Sequence, residues 1–536
     1  MGLVAILAQR IKEAGAALIA TPARPLSLAE GVSVATALTS LILAQLLWSD
    51  SLYMFSRMFW FDEIVTYVLV TDPDAARAAA ALWQGVDNNT PGLFVLLRVF
   101  TWLIDNTSEP AFRSFSFLSV LLGLFGVYVS LRRCFSPLAA FTTVLAIWTH
   151  PLMLFQAFNA RYYAPLFAAA VWFAYFLSRA PGARNRFWAN LAIGSSALVL
   201  CLIHYLGILS MLLVVFGELL HRRGVIGSKW RGFGPTVLGP LALVACIPLL
   251  ISHSSRVSVT SWLPPPTLQR ISQFGIELML PVHLAVIPLV VWVSYVAMTF
   301  RQKAEASYTA GSSLMSLTGL SALALTPAFL VGYSYFVPIL LGQYAIASVA
   351  GLAPGIALVL ARVSRSGLIA LCLFFVLVGA RDLRYQAARH QHTDQRKWEV
   401  IDTIRRHTGS HPVTWEHFFP HEIAHYAPDL SPRLFYLNKR DFDRVPTINA
   451  HFFNDAEWKR ARTWGSEWAR RFAAVYGYPA VMEFEHLRDL PIKYLIVGRD
   501  PIDQQSPSEE SYSGFRLRHV ERSLYELVND PTAEQR

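Results

Sequence analysis

Two adjacent carboxylates, Asp62 and Glu63, follow the aromatic run Phe59-Trp60-Phe61 near the start of the chain. Aromatic side chains favour the boundary between membrane and water, so we expect this run to hold the carboxylates at the depth of the lipid headgroups. A carboxylate at that depth can take the proton of a hydroxyl group that attacks a lipid-borne group. The pair therefore predicts a general base, although a solvated loop pair above an aromatic belt would have the same pattern.

Arginines in the apolar part of the chain form a second candidate group. Arg113 opens one apolar run, and Arg161, followed by Tyr162, opens another. Because a guanidinium group is planar, it can bind two oxygens of a phosphate at once. We predict that Arg113 and Arg161 bind the phosphate of a lipid, with Arg98 as an auxiliary ligand. The alternative for each arginine is snorkelling to the membrane surface.

A third pattern lies in the last third of the chain. His421 and His425 stand one helical turn apart with Glu422 between them, which is the spacing of two zinc ligands and a general base. However, Pro420 and Pro428 limit this helix to about two turns. The motif predicts either a divalent metal in a membrane-anchored zinc peptidase or a short surface helix that binds no metal.

Membrane spans must position these residues. The chain has 536 residues, of which 54% are hydrophobic and 15% are charged, and its mean hydropathy is +0.39. Apolar runs of about 18 residues or more, the length that crosses a bilayer, recur along the first 380 positions. We predict a polytopic α-helical membrane protein with about 11 transmembrane helices. The predicted spans are residues 27–49, 114–131, 138–157, 162–178, 188–203, 206–220, 234–252, 279–300, 314–340, 343–361 and 367–380.

The distribution of charge predicts how the spans are oriented. Residues 381–536 hold 23 basic and 23 acidic residues, so the net charge of +10 comes entirely from the membrane part, which argues against nucleic-acid binding. With a cytoplasmic N-terminus, 16 of the 23 basic residues before position 381 fall in cytoplasmic segments, as the positive-inside rule requires. The run Pro91–Ile104 is then a juxtamembrane or re-entrant segment, because it is too short to span.

This topology divides the chain into two domains. Residues 1–380 form the multi-pass membrane domain, in which the first outer loop, residues 50–113, holds eight of the 13 acidic residues. The composition becomes polar at Arg381, and residues 381–536 are predicted to be a small extracytoplasmic α/β domain. Within it, residues 394–407 and 456–475 have helical spacing, and residues 494–497 have the pattern of a strand.

The order of the motifs resembles that of the C-type membrane glycosyltransferases, particularly the bacterial relatives of protein O-mannosyltransferases and of the lipid A aminoarabinose transferase. The resemblance covers about residues 30–345. At two places the chain departs from the family pattern, with Asn89 where a histidine is common and Gln343 where an arginine is frequent. The motifs that carry it are Asp62-Glu63 with Thr66-Tyr67, Asn89-Thr90-Pro91-Gly92-Leu93, Glu109-Pro110-Ala111-Phe112-Arg113, Ala160-Arg161-Tyr162-Tyr163-Ala164 and His204-Tyr205.

The resemblance implies a function as well as a fold. It implies inverting transfer of a sugar from a polyprenyl-phosphate carrier to a hydroxyl group of a glycan, lipid or protein, at the outer face of the bacterial inner membrane. Asp62 would be the base with Glu63 beside it, and Arg113, Arg161 and Tyr162 would contact the donor. No cofactor is firmly implied. The alternatives are a transporter or flippase of lipid-linked intermediates, an inactive scaffold and the zinc peptidase.

Overall fold

The described residues form two compact units. A computed structural model of the chain describes residues 27–87, 89–222, 233–249, 251–253, 266–279, 317–337, 339–415, 419–438, 468–476, 480–483, 493–496, 511–512, 515–521 and 524–529. The first unit takes its described residues from 1–56, 89–247 and 266–388, and the second from 57–88, 248–265 and 389–536.

The first unit is helical throughout its described part, and short 3-10 segments join some of the helices. Its helices are Leu28–Trp48, Tyr53–Ser56, Gly92–Leu103, Glu109–Leu131, Pro137–Trp148, Pro151–Gln156, Tyr163–Arg179, Arg186–Ile203, Leu206–His221, Leu238–Ala245, Leu268–Met279, Thr318–Ala322, Thr326–Ser334, Ile346–Leu360 and the first part of Arg365–His407.

The apolar helices make the chain a multi-pass membrane protein. Among the described residues, five helices are long and apolar enough to cross a membrane, or six if the bent pair Gly234–Ala245 and Ile247–His253 is one span. Further apolar helices are shorter, and the run around Arg98 is one of them, the helix Gly92–Leu103. The predicted span 279–300 lies outside the described residues except for its first position. The five long helices are Leu28–Trp48, Glu109–Leu131, Arg186–Ile203, Gly342–Leu360 and Arg365–His407.

Two predicted spans differ from the helices that the structure shows. The span predicted at residues 138–157 is interrupted at His150, because the residue before a proline disfavours helical backbone. The His150 ring accepts a hydrogen bond from the Leu152 N–H at 3.2 Å and so caps the second piece. The span predicted to end at residue 380 instead continues as one 43-residue helix to His407.

A buried amide ties three helices of the first unit together. Gln45 accepts a hydrogen bond from the Trp148 indole at 2.9 Å and donates to the Val376 carbonyl at 2.8 Å. Both Gln45 and Trp148 are buried, so these bonds replace the water that the amide loses on folding. The helices that begin at Leu28, Pro137 and Arg365 are therefore held in a fixed relative position.

The described residues of the second unit form helices and a seven-stranded mixed sheet. The strands are β1 Val413–Trp415, β2 Leu434–Asn438, β3 Ala480–Glu483, β4 Tyr494–Ile496, β5 Ser511–Tyr512, β6 Phe515–Glu521 and β7 Leu524–Asn529. In the sheet of this unit their order is β3-β2-β1-β4-β7-β6-β5, in which the first four strands run parallel, whereas β4, β7, β6 and β5 pair antiparallel. Its helices are Phe61–Thr71, Ala75–Trp83, Phe419–Tyr426, residues 468–476 and the second part of Arg365–His407.

The sheet of the second unit is covered by the end of the long helix. Val400, Ile401 and Ile404 of this helix are buried in one apolar cluster with Val413 of β1 and Leu434 of β2. The register aligns Val413 with Leu434 on one side and with Tyr494 on the other. The predicted helix 394–407 and the predicted strand at 494–497 are both present, the latter as β4. Residues 456–467 of the other predicted helix lie outside the described residues.

Candidate active site

The two adjacent carboxylates have different environments in the second unit. Both lie in the first turn of the helix Phe61–Thr71, where the helix dipole stabilises negative charge. Glu63 has no exposed surface, forms an ion pair with Arg57 at 3.3 Å and accepts the Trp60 N–H at 3.2 Å. Asp62 is only half-buried. The two carboxylates thus differ in burial, since Glu63 is enclosed and Asp62 is partly exposed.

The aromatic run before the carboxylates packs inside the second unit. Phe59 is fully buried, and its ring centroid lies 5.7 Å from that of Tyr67. Phe61 packs edge-on against Trp468 at 4.5 Å. Phe59 was expected to anchor the loop at the membrane boundary, and the structure corrects this, because its ring is enclosed by other rings.

The histidine motif lies on the short helix Phe419–Tyr426 of the same unit. His421 is buried against Phe61 and Trp468, with ring centroids 5.7 and 4.9 Å away. His425 packs against Tyr67 at 4.9 Å. Among the described residues, no group of three or more histidine, cysteine, aspartate or glutamate side chains could hold a metal ion.

Glu422, between the two histidines, is an ion-pair partner. Its Oε2 lies 2.6 Å from the Lys397 ammonium, and both side chains are buried. In a zinc peptidase this glutamate would have to activate a water molecule, whereas here it neutralises a buried cation.

In the first unit, the predicted phosphate ligands Arg113 and Arg161 stem from neighbouring backbone segments. Arg113 is fully buried and donates to the Phe55 carbonyl at 3.0 Å. Ser116, about one turn further along the same helix, donates to the Asn159 carbonyl at 2.7 Å, two residues before Arg161. The backbone segments that bear the two arginines are therefore neighbours in the first unit.

Arg161 belongs to a buried cluster of aromatic rings. Its guanidinium lies 5.7 Å from the centre of the Tyr162 ring, a cation–π distance. Tyr162 stacks on His204 with ring centroids 3.8 Å apart and planes 15° from parallel. Tyr344 lies 6.2 Å from His204 and 6.3 Å from Tyr163. Three motifs that are distant in sequence thus converge on one place.

The Asn89–Leu93 motif packs beside this cluster. The Thr90 hydroxyl donates to the Leu202 carbonyl, two residues before His204. A Cβ atom on Gly92 would lie 2.2 Å from the same carbonyl oxygen, so only glycine allows this close approach. Arg98 follows on the helix Gly92–Leu103 and is half-buried.

Several residues of these sites have no counterpart in the sequence-based prediction. Arg57 could have been noticed as a cation six positions before Glu63. No such signal marks Tyr426 and Trp468, because their partners Phe59 and Phe61 lie more than 300 positions away in the sequence. Nor does one mark Lys397, whose partner Glu422 belongs to the histidine motif.

Comparisons with known proteins agree with the predicted resemblance. A sequence model of the family described as dolichyl-phosphate-mannose-protein mannosyltransferase matches residues 88–251. No curated protein sequence matches the chain. The matched residues include Arg98, Arg113, Arg161, Tyr162 and His204.

Two solved structures share the fold. ArnT from Cupriavidus metallidurans bound to undecaprenyl phosphate is 14% identical with a TM-score of 0.55, and the same protein in the apo state is 15% identical with a TM-score of 0.58. Each match covers 92% of this chain and 98% of the other. Together with the family match, they confirm the resemblance to the C-type membrane glycosyltransferases.

Proposed function

We propose that the protein is a glycosyltransferase that moves a sugar from a polyprenyl-phosphate carrier to a hydroxyl acceptor at the outer face of the membrane. One observation carries the proposal: the contacts of Tyr162 with Arg161 and His204 lie inside the segment that matches a family named for a dolichyl-phosphate sugar donor. ArnT, which shares the fold, has been crystallised with a polyprenyl phosphate.

Arg113 and Arg161 would bind the donor. Arg113 donates to a backbone carbonyl and Arg161 lies over the Tyr162 ring, and a phosphate would add charge-assisted hydrogen bonds to both guanidinium groups. Arg98 is the auxiliary cation. As the bond between sugar and phosphate breaks, these cations stabilise the charge that develops on the phosphate.

Asp62 would supply the base. Asp62 takes the proton of the acceptor hydroxyl while the oxygen attacks the anomeric carbon, and the polyprenyl phosphate leaves from the opposite side. One displacement without a covalent intermediate inverts the anomeric carbon. We assign the proton transfer to Asp62 rather than Glu63, because Asp62 is half-buried whereas Glu63 has no exposed surface.

The proposed orientation follows the charge bias. The N-terminus lies in the cytoplasm of a bacterial cell, and the Asp62 loop and residues 381–536 lie outside the inner membrane. The acceptor is then a glycan, a lipid or a protein on that side.

Two alternative functions have weaker support. A transporter is expected to place charges along its membrane pathway, but Glu218 forms a local ion pair with Arg222, one turn away, at 3.1 Å. A zinc peptidase needs the Glu422 carboxylate to activate water, but this carboxylate forms an ion pair with Lys397.

The test is sugar transfer by the purified full-length protein in detergent, with labelled polyprenyl-phosphate sugars extracted from membranes. A micelle has no second compartment, so a transporter would leave the donor unchanged.

Asp62→Asn should lower kcat about 10²- to 10⁴-fold, the usual contribution of a general base, without weakening donor binding. The exposed Asp429→Asn in the same unit is the matched control. Full activity in Asp62→Asn, or no donor consumption by the wild type beside an active relative, would refute the proposal.

A further inference from the structure

The four backbone N–H groups directly before Asp62 all donate hydrogen bonds to side chains. Residues of a loop on a protein surface ordinarily give such bonds to water. Here each N–H of residues 58–61 has its own acceptor within the second unit. The pairs are Met58 with the Asp394 carboxylate at 2.6 Å, Phe59 with the Tyr426 hydroxyl, Trp60 with Glu63 at 3.2 Å, and Phe61 with Glu422 at 3.0 Å.

Three of the four acceptors come from the far end of the chain. Asp394 lies on the helix Arg365–His407, and Glu422 and Tyr426 lie on the helix Phe419–Tyr426. Asp394 and Glu422 are 6% and 9% exposed, so their bonds to the loop face little competition from water. The loop is therefore held by buried groups of two helices.

The charge on Glu422 is balanced by Lys397. One carboxylate oxygen of Glu422 accepts the Phe61 N–H, while the other lies 2.6 Å from the Lys397 ammonium. A buried carboxylate persists only when it is paired and hydrogen-bonded, and this arrangement satisfies both conditions.

The two histidines of the motif hold the side chains of the same loop. His421 packs edge-on against Phe61, and the His425 ring lies 6.1 Å from Phe59 and 4.9 Å from Tyr67. The His-Glu-x-x-His helix thus contacts both the backbone and the rings of the loop. Its residue types serve packing and hydrogen bonding in this arrangement.

We propose that Asp394, Glu422 and Tyr426 are positioning residues that fix the Asp62 carboxylate for proton transfer. The inference rests on the proposed function, because it assigns a role to Asp62. These residues set the backbone from which the helix Phe61–Thr71 begins, and Asp62 is the second residue of that helix. Holding a base in its productive geometry is worth a large factor, since a displacement of 1 Å can cost about 10²-fold in rate.

The experiment uses two small changes in the full-length protein in detergent. Tyr426→Phe removes only the hydroxyl and keeps the ring that packs against Trp398 and His425. Glu422→Gln keeps an acceptor oxygen but loses the charge that pairs with Lys397. Asp429→Asn is the control, because Asp429 is exposed, and its partner is Arg405, whose hydrogen bond lowers the pKa of the Asp429 carboxyl.

Three quantities are measured for each variant: amide exchange of a peptide covering residues 57–63, kcat, and KM for the donor. In Tyr426→Phe we expect exchange to become about tenfold faster and kcat to fall about 10- to 100-fold, with KM within about twofold of wild type. Glu422→Gln should show a change at least as large in the same direction, because it leaves the buried Lys397 without its carboxylate, and Asp429→Asn should show none.

The outcomes separate the two proposals. If a variant shows faster amide exchange but keeps the wild-type kcat, the positioning role alone is overturned. The same holds if the wild type is active and neither Tyr426→Phe nor Glu422→Gln alters the exchange. A wild type without transferase activity overturns the proposed function and the catalytic meaning of the positioning with it, while the exchange data still report whether the loop is held. The positioning role is also overturned if the wild type holds one zinc per chain and His425→Ala loses it, because the motif would then be a metal site.

Discussion

At the scale of single residues, the contrast between Asp62 and Glu63 shows how neighbouring identical charges acquire different environments. The helix Phe61–Thr71 turns by about 100° per residue, so the two side chains leave it in different directions. Glu63 points to Arg57 in the interior, whereas Asp62 retains partial exposure.

The buried pair of Arg57 and Glu63 should contribute strongly to stability. Glu63→Leu leaves the Arg57 charge buried without its carboxylate, which we expect to cost about 3–5 kcal/mol of unfolding free energy. The double variant Arg57→Met with Glu63→Leu should recover part of that loss, because no charge remains buried. Thermal unfolding of the purified protein measures both effects, and Asp62→Asn, with its half-buried side chain, should leave the transition nearly unchanged. Equal losses in the single and double variants would contradict this interpretation.

Arg161 should be sensitive even to a substitution that keeps its charge. Arg161→Lys loses both the planar group that lies over the Tyr162 ring and the second hydrogen bond to a phosphate. We expect the dissociation constant for a polyprenyl phosphate to rise about tenfold or more, which corresponds to the loss of about one charge-assisted hydrogen bond. Arg184→Lys, an exposed arginine of the first unit, should bind like wild type. Unchanged binding in Arg161→Lys would remove this residue from the donor site.

The candidate residues could be selected from the sequence, but most of their partners could not. Residue type and position identified Asp62 and Arg161 as candidates, because acidic residues are scarce in the membrane part and arginines are unusual on the side of the spans predicted to face outward. The contact between Tyr426 and the Phe59 N–H depends on how the sheet and helices of the second unit pack, and no local pattern encodes it.

At the scale of elements, apolar length predicts the long helices well. The spans predicted at 27–49, 114–131 and 188–203 correspond to the helices Leu28–Trp48, Glu109–Leu131 and Arg186–Ile203. Such helices are limited by bilayer thickness and by the polar residues at their ends, both of which are visible in a sequence.

The elements that differ from prediction depend on other factors. Hydropathy cannot show that the helix from Arg365 continues past residue 380, since its later turns are polar on one side and pack Val400 and Ile404 on the other. The interruption at His150 has a sequence signal, Pro151, but prolines also occur within membrane helices.

The contact of Gly92 with Leu202 should tolerate no side chain. In Gly92→Ala the new methyl group meets a backbone oxygen that cannot move aside without shifting the end of the helix Arg186–Ile203. We expect a loss of about 1–3 kcal/mol in unfolding free energy. Gly355→Ala is the matched control, because nothing lies within 4 Å of the added atom, and it should be neutral or slightly stabilising.

Thermal melting of both glycine variants in detergent would measure this difference. Because the Leu202 carbonyl also accepts the Thr90 hydroxyl and precedes His204, Gly92→Ala should additionally weaken donor binding. Equal melting temperatures for the two variants would show that the helices separate easily at this contact.

At the scale of the whole molecule, the second unit is built from three separate stretches of the chain. Residues 57–88 and 248–265 belong to it together with residues 389–536. The Trp468 indole donates to the Val86 carbonyl at 2.7 Å, and the His253 ring makes a hydrogen bond to the Leu82 carbonyl at 2.8 Å. The segment of residues 57–88, which bears Asp62, is thus part of this unit's core. A division of the chain at residue 380 does not reveal this.

Residues 389–536 alone should therefore fail to form a stable domain. Without Phe59 and Phe61, the His421 and Trp468 rings lose their partners and become exposed, and the acceptors Glu422 and Tyr426 lose the N–H groups that they bind. We expect a broad thermal transition and rapid proteolysis. Joining residues 57–88 to residues 389–536 through a flexible glycine-serine linker should restore a cooperative transition, since the missing contacts return.

A linked chain in which residues 57–88 carry Phe61→Ser provides the control and should stay unstable, because the ring between His421 and Trp468 is absent. If residues 389–536 melt cooperatively on their own, at the same temperature as the linked chain, the Asp62 loop contributes little to this core, and its hydrogen bonds to the two helices must be weak enough to open without unfolding the unit.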